Sequence, residues 1–98
     1  MNDPLLQTFK LKHLNLKNRI ITTSHEPAYN EDGMPKDRYI AYHLERAKGG
    51  IAMTMTAGSA VVSKDSPPSF DNIHAFKDEV VPWIKRLTNA IHDQDCAV

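Results

Sequence analysis

Ser24, His25 and Glu26 stand together at the end of a β-branched run, Ile20-Ile21-Thr22-Thr23. A hydroxyl, an imidazole and a carboxylate in succession are side chains that can make polar contacts to a ligand. At the carboxyl end of a buried strand in an α/β fold, such residues lie on the side where ligands bind. The plainer reading is a core strand that runs into a solvated loop. Farther along, Gly58 lies in Ala57-Gly58-Ser59-Ala60. Lacking a Cβ, it lets a flat group approach the backbone or simply permits a tight bend, and both readings stand. His43 has no second histidine or carboxylate at metal-ligand spacing other than plain surface residues, and reads as a structural histidine.

These residues need elements to hold them. Residues 4–17 alternate apolar and polar in two short runs, Phe9 and Leu11, then Leu14 and Leu16. The pattern predicts a β-hairpin with His13 at its turn and Lys10, Lys12 and Lys17 in water. Residues 20–23 form the next strand, expected to be buried on both faces. A long loop follows, with a turn at Asn30-Glu31-Asp32-Gly33. Asp37 is placed to cap a helix over about residues 38–48, with Ile40, His43, Leu44 and Ala47 inward, Tyr39 and Tyr42 flanking them, and Glu45 and Arg46 in water. Gly49-Gly50 stop the helix, one of them in the left-handed region. Ile51 to Thr56 form a second strand that ends at Gly58. The stretch 61–77, rich in serine and proline, reads as an extended loop pinned by Phe70, Ile73 and Phe76, with His74 exposed. A second helix runs from about Asp78 or Glu79 to His92. Val80, Ile84, Leu87 and Ile91 form its apolar stripe, Pro82 lies in its first turn and Trp83 is a packing anchor beside it. Asp95 to Val98 begin a third strand.

Composition limits the partners. The 98 residues carry 12 basic and 12 acidic side chains with no block of one sign. That balance gives no electrostatic footprint for nucleic acid and none for an anionic membrane. No apolar run approaches the roughly 20 residues of a membrane span. The amino terminus lacks the pattern of a signal peptide, and the single cysteine, Cys96, fits a reducing compartment. A cytoplasmic location is expected. Hairpin, strand, helix, strand, helix and the start of a third strand predict an α/β fold with a parallel sheet. No dinucleotide fingerprint, phosphate loop, zinc spacing or nucleophile elbow is present. What remains is the opening portion of a (β/α)₈ barrel with a leading β-hairpin, since roughly 250 residues is typical of that fold. The chain is therefore expected to be the front end of a longer protein.

Two motifs then carry a resemblance. Pro4-Leu5-Leu6, Phe9-Lys10-Leu11 and Leu16-Lys17-Asn18-Arg19-Ile20 resemble the amino-terminal signature of the Old Yellow Enzyme family of NADH:flavin oxidoreductases. Arg46-Ala47-Lys48-Gly49-Gly50-Ile51-Ala52 is similar to that family's junction before its second strand. Ser24-His25-Glu26-Pro27, Asp32-Gly33-Met34-Pro35 and Asp65-Ser66-Pro67-Pro68 resemble the branch with dienoyl-CoA reductase, trimethylamine dehydrogenase and the N-demethylases. The resemblance implies an FMN-binding TIM barrel of which residues 1–98 are the N-terminal part. It implies that Thr23, Ser24, His25, Glu26 and Gly58 lie against the flavin. Many members have proline at the position of Ser24, and cysteine or threonine at that of Glu26. A 4Fe-4S cluster, FAD or NAD(P)H would belong to later parts of the chain. So would the catalytic glutamine, the histidine or tyrosine, and the arginine of later strands, all of which fall beyond Val98.

A carboxylate beside a flavin disfavours its reduction and suits a cationic substrate. Glu26 and the ring of Tyr29 are thus the expected contacts of a methylated amine. The alternative for Glu26 is a solvated side chain or an ion pair with Arg38. Two activities follow from the resemblance: N-demethylation of a methylated amine or betaine, and reduction of a conjugated enone or enoyl compound with NAD(P)H. A reading from another class is a non-catalytic βα fragment or interaction module. Expected partners are a small-molecule substrate, the remainder of the barrel and another copy of the full-length enzyme. The isolated chain is expected to bind little FMN and to have no turnover.

Overall fold

A computed structural model describes residues 2–98. After a single 3-10 turn at Pro4–Leu6, β1 (Phe9–Leu11) and β2 (Leu14–Leu16) pair antiparallel, Lys10 opposite Asn15. Lys12 and His13 form the turn, and Lys12 takes a left-handed φ of 53°. The hairpin matches the alternating pattern. Lys17 departs from it: its Nζ donates to the Gln94 carbonyl at 2.9 Å, tying the hairpin to the chain's far end.

β3 (Ile21–Thr22) and β4 (Met53–Thr54) pair in parallel, with α1 (Asp37–Lys48) between them in sequence. Ala97 bridges Met53 in parallel on the other side of β4, so the expected third strand has begun. The ladders are shorter than the β-branched runs suggest. Ile21 remains 40% exposed, because only the Thr22 face lies under a helix; the expected burial on both faces does not occur. Asn18 fixes where the pair begins. Its buried side chain accepts from the Ile20 amide at 3.0 Å and donates to the Gly50 carbonyl at 2.7 Å.

α1 starts one residue earlier than its periodicity suggests. Lys36 occupies the N-cap without a side-chain bond, and Asp37 is the first helical residue. The Asp37 carboxylate instead meets Arg86 of α2 (Val80–His92) at 2.9 Å. Gly49 ends α1 in a right-handed conformation and Gly50, at φ +104°, turns the chain away. Tyr39, Ile40, His43 and Ala47 are buried, and Tyr39 is fully enclosed rather than flanking the stripe. Leu87 and Ile91 of α2 are fully buried against α1, with Met34, Ile73, Val80 and Cys96 completing the core. Each such side chain contributes about 1.5–3 kcal/mol through removal from water. Trp83 is half-buried against this cluster, with Arg86 over its ring.

The stretch read as one extended loop contains a second parallel pair, β5 (Ala60–Val61) with β6 (Ile73–His74). Ile73 is buried there as expected and Phe76 is half-buried, stacked on the His74 ring, whereas Phe70 is 53% exposed. His74 is half-buried rather than free, and its amide donates to the Gly33 carbonyl at 2.8 Å. The turn before α1 is a two-residue connection. Glu31 and Met34 exchange both backbone hydrogen bonds around Asp32 and Gly33, which have φ of 56° and 76°. Positive φ at both positions is the type I′ geometry favoured by Asp-Gly. A Cβ on Gly33 would come within 2.2 Å of the His74 ring, so the site demands glycine twice over.

The radius of gyration is 14.7 Å and the extents are 50 × 23 × 21 Å. A closed domain of this length would have a radius near 13 Å. The molecule is elongated: α1 covers one face of the β3–β4 pair with α2 packed on α1, and on the opposite face Ile21 is 40% exposed.

Candidate functional site

Thr22 and Thr54 point under α1 and share a hydrogen bond at 2.8 Å between their hydroxyls. Thr54 is fully buried and meets His43 Nδ1, also at 2.8 Å. Burial holds the His43 imidazole down at about 4, with Arg46 adding to the effect, so it is neutral. Its Nε2 has no partner among the described residues. His43 is therefore structural, as its sequence context suggests, but only one of its two nitrogens is satisfied.

Beyond this buried layer the two strand ends open. The Thr22 carbonyl accepts from Met55, and past that point the backbone amides of Thr23, Ser24 and His25 have no backbone partner among the described residues. Thr23 and Ser24 are exposed. The His25 side chain turns towards α1, where Nδ1 and the Tyr42 hydroxyl share a hydrogen bond at 2.6 Å. Glu26 is half-buried. One carboxylate oxygen accepts from the Ala28 amide at 3.1 Å, and the other, Oε2, is buried with no partner. Desolvation raises the carboxyl above the usual range, opposed by the Ala28 amide and by His25. Glu26 makes no ion pair with Arg38 among the described residues, and one of its two carboxylate oxygens is buried while the residue as a whole is half-exposed. Arg38 instead lies 3.9 Å over the ring of Tyr29, closing one face of the aromatic expected to receive a cation.

Gly58 faces Glu26 across the gap between the strand ends. A Cβ built there would meet only Glu26, at 3.9 Å, which is ordinary contact. No described residue therefore forces a glycine at this position, and the space before it is open. Tyr39 and Asn72 hold the walls of the gap and were not singled out from the sequence. The Tyr39 hydroxyl accepts from the Ala57 amide at 2.9 Å. Burial pushes the phenol up to about 12, so it stays protonated. Buried Asn72 accepts from the amides of Ser69 and Phe70 and donates to the Ser59 hydroxyl at 2.8 Å. An asparagine inside Ser-Phe-Asp-Asn is a turn signal; its reach back to Ser59 is a tertiary contact that local pattern does not encode. Asn30 donates to the Asp71 carbonyl at 2.7 Å and joins the two long loops.

The residues present fit a flavin. Free amides at one strand end and an open glycine at the other suit the polar edge and flat ring of an isoalloxazine. Among the described residues no group of three or more His, Cys, Asp or Glu side chains converges. Burial raises the Cys96 thiol, which keeps it protonated. No described helix is long and apolar enough to cross a membrane.

Residues 4–98 match the model of the NADH:flavin oxidoreductase / NADH oxidase family, and the chain belongs to that family. Membership implies FMN. The chain is 66% identical over 97 residues to the "Probable N-methylproline demethylase" of Rhizobium meliloti, and 48% identical over 97 residues to the "Multifunctional alkene reductase/demethylase OYE" of Caballeronia cordobensis. It is 33% identical over 92 residues to the "N,N-dimethylglycine/sarcosine dehydrogenase" of Chromohalobacter salexigens. These alignments cover 99%, 99% and 92% of the chain, but only 14%, 14% and 13% of those proteins.

Proposed function

We propose that residues 1–98 are the N-terminal part of an FMN-dependent (β/α)₈ barrel whose full-length protein oxidises and N-demethylates a methylated amine or betaine. The observation that carries this reading is the buried, unpartnered Oε2 of Glu26 at the strand ends. A desolvated carboxylate oxygen costs free energy until a donor or cation reaches it. A methylammonium group supplies that charge, and relatives named for N-methylproline and N,N-dimethylglycine agree with it.

Bound FMN supplies the hydride chemistry. The chain's own groups would bind and orient. The amides of Thr23, Ser24 and His25 would meet the flavin's polar edge. Gly58 would let the ring approach the backbone, and Glu26 would hold the substrate cation. Tyr29 would contribute only its face away from Arg38, because a second cation on the occupied face is repelled. His25 would act through its backbone, its ring being engaged with Tyr42. A 4Fe-4S cluster, FAD and the NAD(P)H site would lie beyond residue 98. A cytoplasmic enzyme that forms a homo-oligomer completes the proposal.

A second reading is reduction of a conjugated enone or enoyl compound with NAD(P)H. Relatives named alkene reductase and NADPH dehydrogenase favour it. Glu26→Gln in the full-length protein separates the two. The amide keeps the size and removes the charge. Catalytic efficiency on N-methylproline or dimethylglycine is expected to fall by about tenfold or more, the scale of a lost charge-assisted hydrogen bond. Enone reduction is expected to hold or rise. Amine oxidation unchanged by the substitution would remove the role given to Glu26, and a full-length protein that oxidises neither amine would remove the amine reading.

A further inference from the structure

Two alanines border the gap between the strand ends, and both have left-handed backbones: Ala28 at φ 59° and Ala57 at φ 33°. Such a backbone costs an L-residue roughly 1–2 kcal/mol. In each case a side chain holds the amide of the strained residue. Glu26 takes that of Ala28, and Tyr39 takes that of Ala57.

Tyr39 belongs to a pair. Both it and Tyr42 lie in the first two turns of α1, and each reaches a different strand end. Tyr39 bonds to Ala57 past β4, and Tyr42 bonds to His25 past β3. Neither tyrosine is free to swing. The Tyr39 ring is fully buried and packs on His43 with centroids 5.0 Å apart. The Tyr42 ring meets His43 edge-on at 5.0 Å and Tyr29 edge-on at 6.0 Å, while Arg46 lies 3.6 Å over it. His43 in turn is tied through Thr54 to Thr22, so one helix is fastened to both strands below the gap and to both strand ends beside it.

We propose that Tyr39 and Tyr42 are a pair of positioning residues that set the separation and orientation of the two strand ends at which Glu26 and Gly58 meet. Their rings are fixed by packing and their hydroxyls act as struts. The pair holds Ala57 in its left-handed turn, which carries Gly58, and holds His25, which carries Glu26. The consequence for substrate rests on the amine reading above; the mechanical role does not.

The test uses the full-length holoenzyme with Tyr39→Phe and Tyr42→Phe, each of which removes one hydroxyl and keeps the ring. Amide hydrogen exchange is the readout independent of activity. Tyr39→Phe is expected to speed exchange at residues 57–59 by about tenfold, and Tyr42→Phe to do so at residues 24–28, each with little effect on the other segment. In turnover of whichever substrate the enzyme accepts, each variant is expected to raise KM about fivefold or more with kcat within about twofold. Tyr42→Phe and His25→Gln are expected to be non-additive when combined. Unchanged exchange in both segments, or a uniform rise along the chain, would overturn the proposal. If the full-length protein oxidises neither amine while the local exchange changes appear, the struts stand and only the amine reading falls.

Discussion

The two ends of the parallel pair are built from opposite materials. At the carboxyl ends, side chains of α1 and of both long loops converge on a polar gap. Most groups there have a named partner, among them His25 with Tyr42, Ala57 with Tyr39 and Asn72 with Ser59. At the amino ends, Phe9, Leu11, Leu16, Ile21 and Met53 line an apolar hollow of about 330 Å³ with Arg19 at its margin. Phe9, Leu11 and Ile21 are all at least two-fifths exposed in it. The polar end is specified by contacts within these 98 residues. The apolar end has a surface that contacts within these 98 residues leave uncovered, and the chain spans about 14% of the length of its relative named for N-methylproline.

The strongest way to test the contrast is through His43, the anchor beneath the polar end. Its folded value of about 4 lies below the ordinary 6.5 because burial disfavours the charged ring. The unfolded chain therefore binds more protons between those values, and stability falls as pH drops through that window. The full effect is about 3 kcal/mol, present above pH 6.5 and lost towards pH 4. Thermal unfolding of the full-length protein at pH 7 and pH 5 should register about 2 kcal/mol of it, and His43→Gln is expected to flatten the slope. An unaltered slope would mean that His43 is not the group that titrates.

Gly33→Ala is the next largest. Positive φ and the crowding against His74 together are expected to cost about 2 kcal/mol or more. The same change should also loosen the contact between the two long loops, read as faster exchange at His74.

At the apolar end the expected effect is small in one setting and large in another. Ile21→Ser in the 98-residue chain should cost less than about 1 kcal/mol, because the side chain is 40% exposed. It should also reduce binding of a hydrophobic dye. If further chain of the proposed barrel fills the hollow, the same substitution in the full-length protein should cost about 2–4 kcal/mol. Equal costs in the two settings would erase the distinction between a finished end and an unfinished one.

Much of the framework was legible because periodicity reports burial. The hairpin, both helices and the parallel pair all followed from apolar spacing. Three kinds of feature did not. The β5–β6 pair consists of two-residue strands separated by a proline-rich stretch, too short for any period to register. Asp37 carries a capping signal, yet its carboxylate is drawn to Arg86, a choice made by the packing of two helices. Ser24, His25 and Glu26 follow β3 in the chain, but the directions of their side chains were not legible. His25 turns to Tyr42 and Glu26 keeps an oxygen buried, because α1 and the Ala57 turn lie beside them. The roles of Tyr39 and Asn72 are likewise tertiary: a tyrosine on an apolar face and an asparagine in a turn look ordinary until their distant amide and hydroxyl partners are in place.

The amide of Asn18 has a kinetic meaning. Joining β3 to β4 closes a loop of 32 residues, which costs about 3 kcal/mol of chain entropy before any ladder bond is made. Asn18 bonds both to the chain just before β3 and to Gly50 just before β4, so it marks the single alignment in which the strands can zip. A slip by one residue would turn Thr54 away from His43 and put Met53 beneath the helix. It would also leave the Asn18 amide and the Gly50 carbonyl buried without each other. A misaligned pair is thus the least stable at its starting point, where it can most easily come apart and try again.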